Sequence, residues 1–181
     1  MEKLLKIPYT AFNHNWDLLQ QFLERRGNPR YELVGNVYLQ LRKDIFDLGN
    51  LVRVDGQLDL SYSSIQSLGN LEYVVGNLDV HKTPIQSLGN LKEVGGYFDL
   101  NKTPIQSLGN LEYVHGSLSL DDTPIESLGN LRYVGNYLDL SKAPIQSLGN
   151  LQYVGNIIYL SKNHNIPEEE LNNFKYQIEY E

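Results

Sequence analysis

Aspartate recurs at intervals of twenty residues through the middle of this chain, each time between two apolar residues. The residues at this position are, in order, Asp59, Asp79, Asp99, Ser119, Asp139 and Tyr159. An apolar-polar-apolar triplet is the pattern of a short strand with one buried face. Strands of a parallel sheet lie about 4.8 Å apart, so the spacing predicts a row of carboxylates on an exposed face. Such a row could bind a basic surface.

A row of carboxylates at this spacing is unfavourable by itself. Two like charges so placed repel by roughly 1 kcal/mol even in water-like surroundings, so stability alone would not select the row. We predict that the row faces a basic partner surface. A structural alternative stays open, in which repeat duplication produced the row and lysines three residues further on compensate its charge. These lysines are Lys82, Lys102, Lys142 and Lys162.

Aromatic and further acidic residues occupy other exposed positions near the row. Tyr97 and Tyr137 stand two residues before the aspartate position, and tyrosine is enriched at protein interfaces. Asp121 and Asp122 lie in an unusually acidic repeat. Either Asp122 pairs with Lys102 and Lys142 of the adjacent repeats, or this repeat marks the centre of a binding patch. The predicted partner-binding residues are therefore Asp59, Asp79, Asp99, Asp139, Tyr97, Tyr137, Tyr159, His81, Asp121 and Asp122.

The sequence contains no pattern that indicates catalysis or metal binding. The histidines lack metal-ligand spacing, and neither a nucleophile elbow nor a phosphate-binding loop is present. We therefore expect that the protein is not an enzyme and that it uses no metal and no cofactor. The histidines are His14, His81, His115 and His164.

The composition narrows the classes of partner. The net charge of −7 argues against nucleic acid as a direct ligand, because phosphate binding needs clustered lysine and arginine. The chain has no cysteine, which fits a reducing compartment. Its first residues lack the apolar run of a signal peptide, and no stretch has the length of a membrane span. We expect a cytoplasmic monomer.

The segment Ser-Leu-Gly-Asn-Leu sets the architecture that must position these residues. It recurs in the same register at 67–71, 87–91, 107–111, 127–131 and 147–151. A period of this length indicates a solenoid, in which each coil packs only against its neighbours. We predict about seven repeats over residues 31–163, of which the first and the last are degenerate.

Within each coil we expect one strand, one Thr-Pro turn and one return arc. Leu78 and Val80 alternate as a strand with one buried face requires. From Ile85 onward the apolar residues follow at intervals of three, which favours short 3₁₀ turns or a polyproline-like arc. The apolar residues of the first repeat are one position out of phase. We therefore expect a bulge there, or an insertion near Arg42 that returns Ile45 to the core.

Both ends of the chain leave the repeat, and helices are predicted there. Residues 1–30 contain a helix that Asn15 caps and that runs to about Arg26, and residues 164–181 contain a helix that starts at Pro167. The apolar stripe of the second helix is Leu171, Phe174 and Ile178. We interpret both helices as caps over the open ends of the core. Partner binding by the first helix is the alternative.

The strand segments are similar to a known repeat family. Residues 78–85 and 118–125 resemble the segment L-x-L-x-x-N-x-L of leucine-rich repeats, although Thr83 and Thr123 replace the asparagine. The chain resembles short-repeat, twenty-residue leucine-rich repeat proteins of bacteria and phages and, distantly, receptor L domains. The resemblance implies a right-handed coil with one parallel sheet and protein recognition through the strand face. A plain parallel β-helix stays open as an alternative.

The predicted function is a non-enzymatic protein–protein interaction module that contacts its partner through the exposed strand face. By resemblance, it is a phage or bacterial inhibitor or modulator of a host protein. The alternative, from another class, is an acidic mimic of nucleic acid that blocks a basic groove on a DNA- or RNA-handling enzyme. Salt separates the two, because the binding of a mimic should collapse as ionic strength rises.

Overall fold

The computed structural model describes residues 4–175 and 177–181 as a stack of about seven coils. Each coil is about twenty residues long and pairs in parallel with the coils before and after it. The predicted solenoid with a twenty-residue period and parallel strands is therefore confirmed. No helix among the described residues has the length and apolar character needed to cross a membrane.

The described strands, β1 to β16 in chain order, form two parallel sheets of eight strands each. Sheet 1 has the order β1-β2-β4-β6-β8-β10-β12-β14, and sheet 2 has the order β16-β15-β13-β11-β9-β7-β5-β3. The strands of sheet 1 are Leu5–Pro8, Tyr31–Val34, Leu51–Asp55, Tyr73–Val74, Glu93–Val94, Tyr113–Val114, Tyr133–Val134 and Tyr153–Val154. The strands of sheet 2 are, from β3 to β16, Val37–Tyr38, Leu58–Asp59, Leu78–Asp79, Phe98–Asp99, Leu118–Ser119, Leu138–Leu140, Ile158–Leu160 and Ile178–Tyr180.

The expectation of a single sheet is wrong, because the return arc also pairs between coils. The amide of Lys92 donates to Glu72 O at 2.9 Å, and the amide of Gly95 donates to Val74 O at 2.8 Å. The arc thus combines bonds to the neighbouring coil with one tight turn of its own, in which the Leu91 amide donates to Leu88 O at 3.1 Å. The described 3₁₀ helices, Tyr9–Phe12 and Asn172–Phe174, lie outside the repeats.

The apolar positions of strand and arc fill one continuous core between the two sheets. In the coil that follows residue 77, the side chains of Leu78, Val80, Ile85, Leu88 and Val94 are all buried. A single coil offers only about six aliphatic side chains, and burying each contributes roughly 1.5–3 kcal/mol. Ordering twenty residues costs about 1.5 kcal/mol for each residue. A coil therefore becomes stable only when neighbours cover it above and below.

The first repeat keeps its apolar residues inside through a change of register. Val37 pairs with Leu58, which stands twenty-one positions later instead of twenty. The shift arises where β2 meets β4, because Val52 is an extra residue in the pairing. An additional residue between Leu41 and Ile45 restores the period, and Ile45 is buried. The expected insertion near Arg42 is thus confirmed, but the exposed Leu41 does not continue the buried alternation.

Backbone contact between coils explains one of the glycine positions. A Cβ atom on Gly95 would collide with the carbonyl oxygen of Val75 in the preceding coil. The coils approach each other so closely at this point that only glycine fits there.

The N-terminal segment contains a helix and a strand. Helix α1 spans Trp16–Glu24, and its first turn is capped by Asn15 Oδ1, which accepts the Leu18 amide at 3.1 Å. Trp16, Leu19 and Leu23 of this helix are buried in the core cluster. Strand β1 (Leu5–Pro8), which the sequence did not predict, pairs with β2 and ends sheet 1.

The C-terminal segment departs from its prediction. Helix α2 is a single turn, Glu168–Leu171, that continues as the second 3₁₀ helix, Asn172–Phe174. Ile178 was predicted on the apolar face of a longer helix, but it lies in β16 and pairs with Ile158 of β15. Strand β16 pairs with β15 at the edge of sheet 2, so backbone groups of both strands form inter-strand hydrogen bonds. A helix at this place would have left those groups of β15 without strand partners.

Candidate binding face on sheet 2

The structure places the predicted aspartates side by side on the outer face of sheet 2. Asp59 pairs with Asp79, and Asp79 pairs with Asp99. Ser119 interrupts the series between Asp99 and Asp139. We call Asp59, Asp79, Asp99 and Asp139 the aspartate row. Its register follows from the twenty-residue period, and its binding role remains a prediction.

Each carboxylate of the row also has a structural task. Its Oδ1 atom accepts the backbone N–H of the residue two positions later, at 2.9 Å in Asp59, 3.0 Å in Asp79, 2.9 Å in Asp99 and 3.0 Å in Asp139. The chain bends away from the sheet at this point, and an aspartate satisfies an amide that the bend leaves without a strand partner. The hydrogen bond thus gives aspartate at this position a structural role that the sequence did not predict.

Lysine compensation of the row does not take the form of ion pairs. Lys82 Nζ donates to the Tyr62 hydroxyl at 3.0 Å, and Lys142 Nζ pairs with Asp121 at 3.1 Å. Among the described residues, no lysine or arginine forms an ion pair with the row. His81 does contact the row, since its Nδ1 lies 2.7 Å from Asp79 Oδ1.

Asp99 is the row member with the least favourable surroundings. Burial raises the pKa of its carboxyl group, and the charge of Asp79 raises it further. Tyr97 lies against it, and burial followed by the Asp99 charge raises the pKa of the Tyr97 phenol. An ionised Asp99 is thus held where both solvent loss and a like charge oppose it.

The tyrosines predicted to bind a partner lie in two separate places on sheet 2. Tyr137 and Tyr159 stack on adjacent coils, with ring centroids 6.1 Å apart and an interplanar angle of 27°. Tyr97 instead lies beside Asp99, two coils away from Tyr137. On sheet 1, the rings of Tyr133 and Tyr153 form a second stacked pair, with centroids 4.9 Å apart.

Polar side chains of the acidic repeat at 111–130 contact the adjacent repeats. Ser119 is buried, and its Oγ donates to Asn101 Oδ1 at 2.6 Å. Asp121, and not Asp122, pairs with Lys142. Asp121 Oδ1 is buried without a hydrogen-bond partner within the described part of the chain. Asp122 lies exposed in the turn with a φ of 58°.

Coil stacking brings together three side chains that the sequence did not connect. Ligand atoms of Asp79, His81 and Asp99 all lie within 4.8 Å of one another. The spacings of two and twenty residues do not match any compact metal motif. The period of the repeat was the signal that could have joined Asp79 to Asp99. His81 was predicted only as a contact residue.

Comparison of the chain with protein-family models, with curated proteins and with solved structures found no match. The repeat pattern itself therefore carries the resemblance to leucine-rich repeats, and the two-sheet coil is established by its own strand pairing.

Proposed function

We propose that the chain is a non-enzymatic protein-binding module that contacts a basic partner protein through the outer face of sheet 2. The observation that carries the proposal is the aspartate row. Its charges lie in register on one face, and no lysine or arginine pairs with them among the described residues. A partner with lysine or arginine at matching intervals would neutralise this surface.

Aromatic side chains at the C-terminal end of the same face add an apolar contact. Tyr137 is exposed, and its ring stacks on Tyr159 in the next coil. Stacked tyrosines offer a large rigid area beside the charged row, and such residues supply much of the binding energy in protein interfaces. The proposed contact surface thus has a charged part around Asp79 and an aromatic part around Tyr159.

The proposal includes the biological setting that the family resemblance suggests. We assign the chain as a cytoplasmic protein of leucine-rich-repeat type, from a bacterium or phage, that inhibits or modulates a host protein. The terminal segments act as covers over the two open ends of the coil stack. Glu170 supports this role, because its Oε2 accepts the Leu148 amide at 2.6 Å and the Ser147 hydroxyl at 3.0 Å.

The test is capture and identification of the partner, followed by affinity measurement with two charge-matched triple variants. The first variant replaces Asp59, Asp79 and Asp99 by Asn, which leaves an oxygen for the local hydrogen bonds. The second replaces Glu93, Glu112 and Glu126 by Gln, which removes the same charge elsewhere. We expect at least a tenfold loss of affinity in the first variant and no change in the second. Equal affinities for all three proteins would refute the proposal.

An acidic mimic of nucleic acid is the second candidate, and the regular spacing of charges in the row favours it. Its partner would be an enzyme with a basic groove. Binding by such a mimic should fall by several orders of magnitude between 50 and 200 mM salt, by analogy with phosphate contacts. Binding anchored by Tyr137 and Tyr159 should persist and should instead be lost when both are replaced by Ala.

A further inference from the structure

Asp79, His81 and Asp99 offer one imidazole nitrogen and two carboxylates to a common point between adjacent coils. The ligand atoms lie within 4.8 Å of one another, and all three residues are partly exposed. A bound ion could therefore complete its coordination with water. We propose that these three side chains form a binding site for a divalent transition-metal ion, with Zn²⁺ as the probe. The site shares Asp79 and Asp99 with the proposed contact surface, but zinc binding is measured on the chain alone and so is tested separately from partner binding.

The histidine makes this coil different from its neighbours. The residue two positions after the row carboxylate is Ser61, Asn101 or Ser141 in the other coils that carry the aspartate. Ser61 bonds locally, since its Oγ donates to Asp59 Oδ1 at 2.7 Å, and the oxygen of Asn101 is taken by the Ser119 hydroxyl at 2.6 Å. His81 adds a nitrogen donor, which Zn²⁺ prefers and which Ca²⁺ and Mg²⁺ do not.

The charges around the site favour a cation. Asp79 and Asp99 lie side by side, and no lysine or arginine forms an ion pair with either among the described residues. Lys82 follows the histidine, but its ammonium is held by Tyr62, 3.0 Å from the hydroxyl and 4.9 Å from the ring centroid. A divalent ion would neutralise both carboxylates.

The geometry needs only a small adjustment. Ligands about 2.0–2.2 Å from one zinc ion lie roughly 3–3.5 Å from each other. Asp79 Oδ1 and His81 Nδ1 are 2.7 Å apart and would separate slightly to admit the ion, while Tyr62 packs edge-on against the imidazole at 4.6 Å. Rotation of the Asp99 side chain would bring its carboxylate to the same ion. The ion would take the place of the hydrogen bond between Asp79 Oδ1 and His81 Nδ1.

The first experiment is calorimetric titration of the full chain with ZnCl₂ in a buffer that does not bind zinc. We expect one equivalent to bind to the wild-type chain. His81→Ser should weaken binding at least tenfold, and this variant should fold, because Ser61 and Ser141 occupy the same position in other coils. Asp99→Asn should weaken binding to a similar degree. His115→Ser, which changes a histidine on sheet 1 paired with Glu93, should leave it unchanged.

The second experiment adds a site. Ser61→His places an imidazole beside Asp59, and Asp79 of the next coil supplies the second carboxylate. The variant should bind two zinc ions, or bind one zinc ion more tightly because both sites share Asp79. The matched variant Ser141→His should add nothing, because Tyr159 stands where the second carboxylate is needed.

Three results would overturn the proposal: the absence of zinc binding by the wild-type chain, equal binding by wild type and His81→Ser, or equal affinity for Zn²⁺ and Ca²⁺. The last result would mean that only the carboxylates act, since Ca²⁺ selects oxygen ligands. Circular dichroism of each variant shows whether a loss of binding reflects the loss of a ligand or the loss of the fold.

Discussion

Asp59 accepts two hydrogen bonds from Ser61 at one oxygen: Oδ1 lies 2.9 Å from the Ser61 amide and 2.7 Å from its hydroxyl. Ser61 is buried, so its amide has no access to water as a substitute partner. Leaving a buried donor unsatisfied costs about 1–3 kcal/mol. We therefore expect Asp59→Ala to lower the free energy of unfolding by about that amount.

Asp59→Asn is the matched control for this prediction, because the amide side chain keeps an oxygen acceptor in the same place. Chemical denaturation of both variants at neutral pH measures the difference. If the two substitutions cost the same, the local bond to Ser61 is not what makes aspartate favourable at this position.

Asp99 should make stability depend on pH. Its pKa is raised in the folded state, first by burial and then by Asp79, so the folded chain binds the proton more tightly than the unfolded chain. The free energy of unfolding therefore falls as pH rises from the ordinary aspartate value through the raised one, and the loss persists at higher pH. Asp99→Asn should be more stable than wild type at pH 7, because the substitution removes the charge that burial and Asp79 oppose.

At pH 3 the same substitution should change little, since the carboxyl group is then protonated in both states. Thermal unfolding of wild type and Asp99→Asn at the two pH values checks the sign. A variant that is less stable at pH 7 would show that the bond from the Asn101 amide outweighs the burial of the charge.

The repeat period predicted most of the fold, and short pairing segments account for what it did not predict. Leu78, Val80 and Ile85 are buried as their spacing required, because the same positions of every coil face the core. Sheet 1 escaped prediction because its two-residue strands, such as Tyr113–Val114, lie in an arc whose apolar residues follow at intervals of three and not at the strand period of two. Two residues have no periodicity, and whether they pair depends on the neighbouring coil. Ile178 was misplaced for the same reason, since β15 offers it a partner edge.

The position of the candidate site was predicted better than its chemistry. The interval of twenty residues places Asp59, Asp79 and Asp99 in one row, as the structure shows. The local bonds of the row required the bend after the strand, which an apolar pattern does not encode. The proximity of His81 to Asp99 depends on side-chain direction across two coils, and the sequence spacing alone gives no measure of it.

The last coil should become a site of self-association when its covering side chains are removed. Glu170 Oε2 accepts the Leu148 amide at 2.6 Å, and Gln177 Nε2 donates to Val154 O at 2.5 Å. Val154 lies in β14, the end strand of sheet 1, and an unpaired strand edge is a template for another chain. We expect the double variant Glu170→Ala, Gln177→Ala to form dimers at high protein concentration.

Light scattering after size exclusion, over a range of concentrations, measures this association. The control is the double variant Glu168→Ala, Glu169→Ala, which removes two exposed acids from the same segment. Both variants remaining monomeric would mean that the rest of the segment protects the edge without these two side chains.

Ala143 stands where the three preceding coils have the threonine of a Thr-Pro turn, so its turn lacks the hydrogen bond of the threonine hydroxyl. In the three preceding coils Thr83, Thr103 and Thr123 are buried, and their hydroxyls donate to the carbonyls of residues 80, 100 and 120 at 2.6–2.7 Å. Ala143 is buried at the equivalent position. Ala143→Thr should therefore form the same bond to the Leu140 carbonyl and raise the free energy of unfolding by about 0.5–1.5 kcal/mol.

Ala143→Val separates the hydrogen bond from the added volume, since valine has the shape of threonine without the hydroxyl. We expect valine to give no gain, because the apolar contact it adds is offset by crowding in a packed turn. Urea denaturation of the three proteins gives the comparison. A valine variant as stable as the threonine variant would assign the effect to packing. A threonine variant less stable than wild type would show that the coil of Ala143 is packed too tightly to accept the side chain that the preceding coils carry.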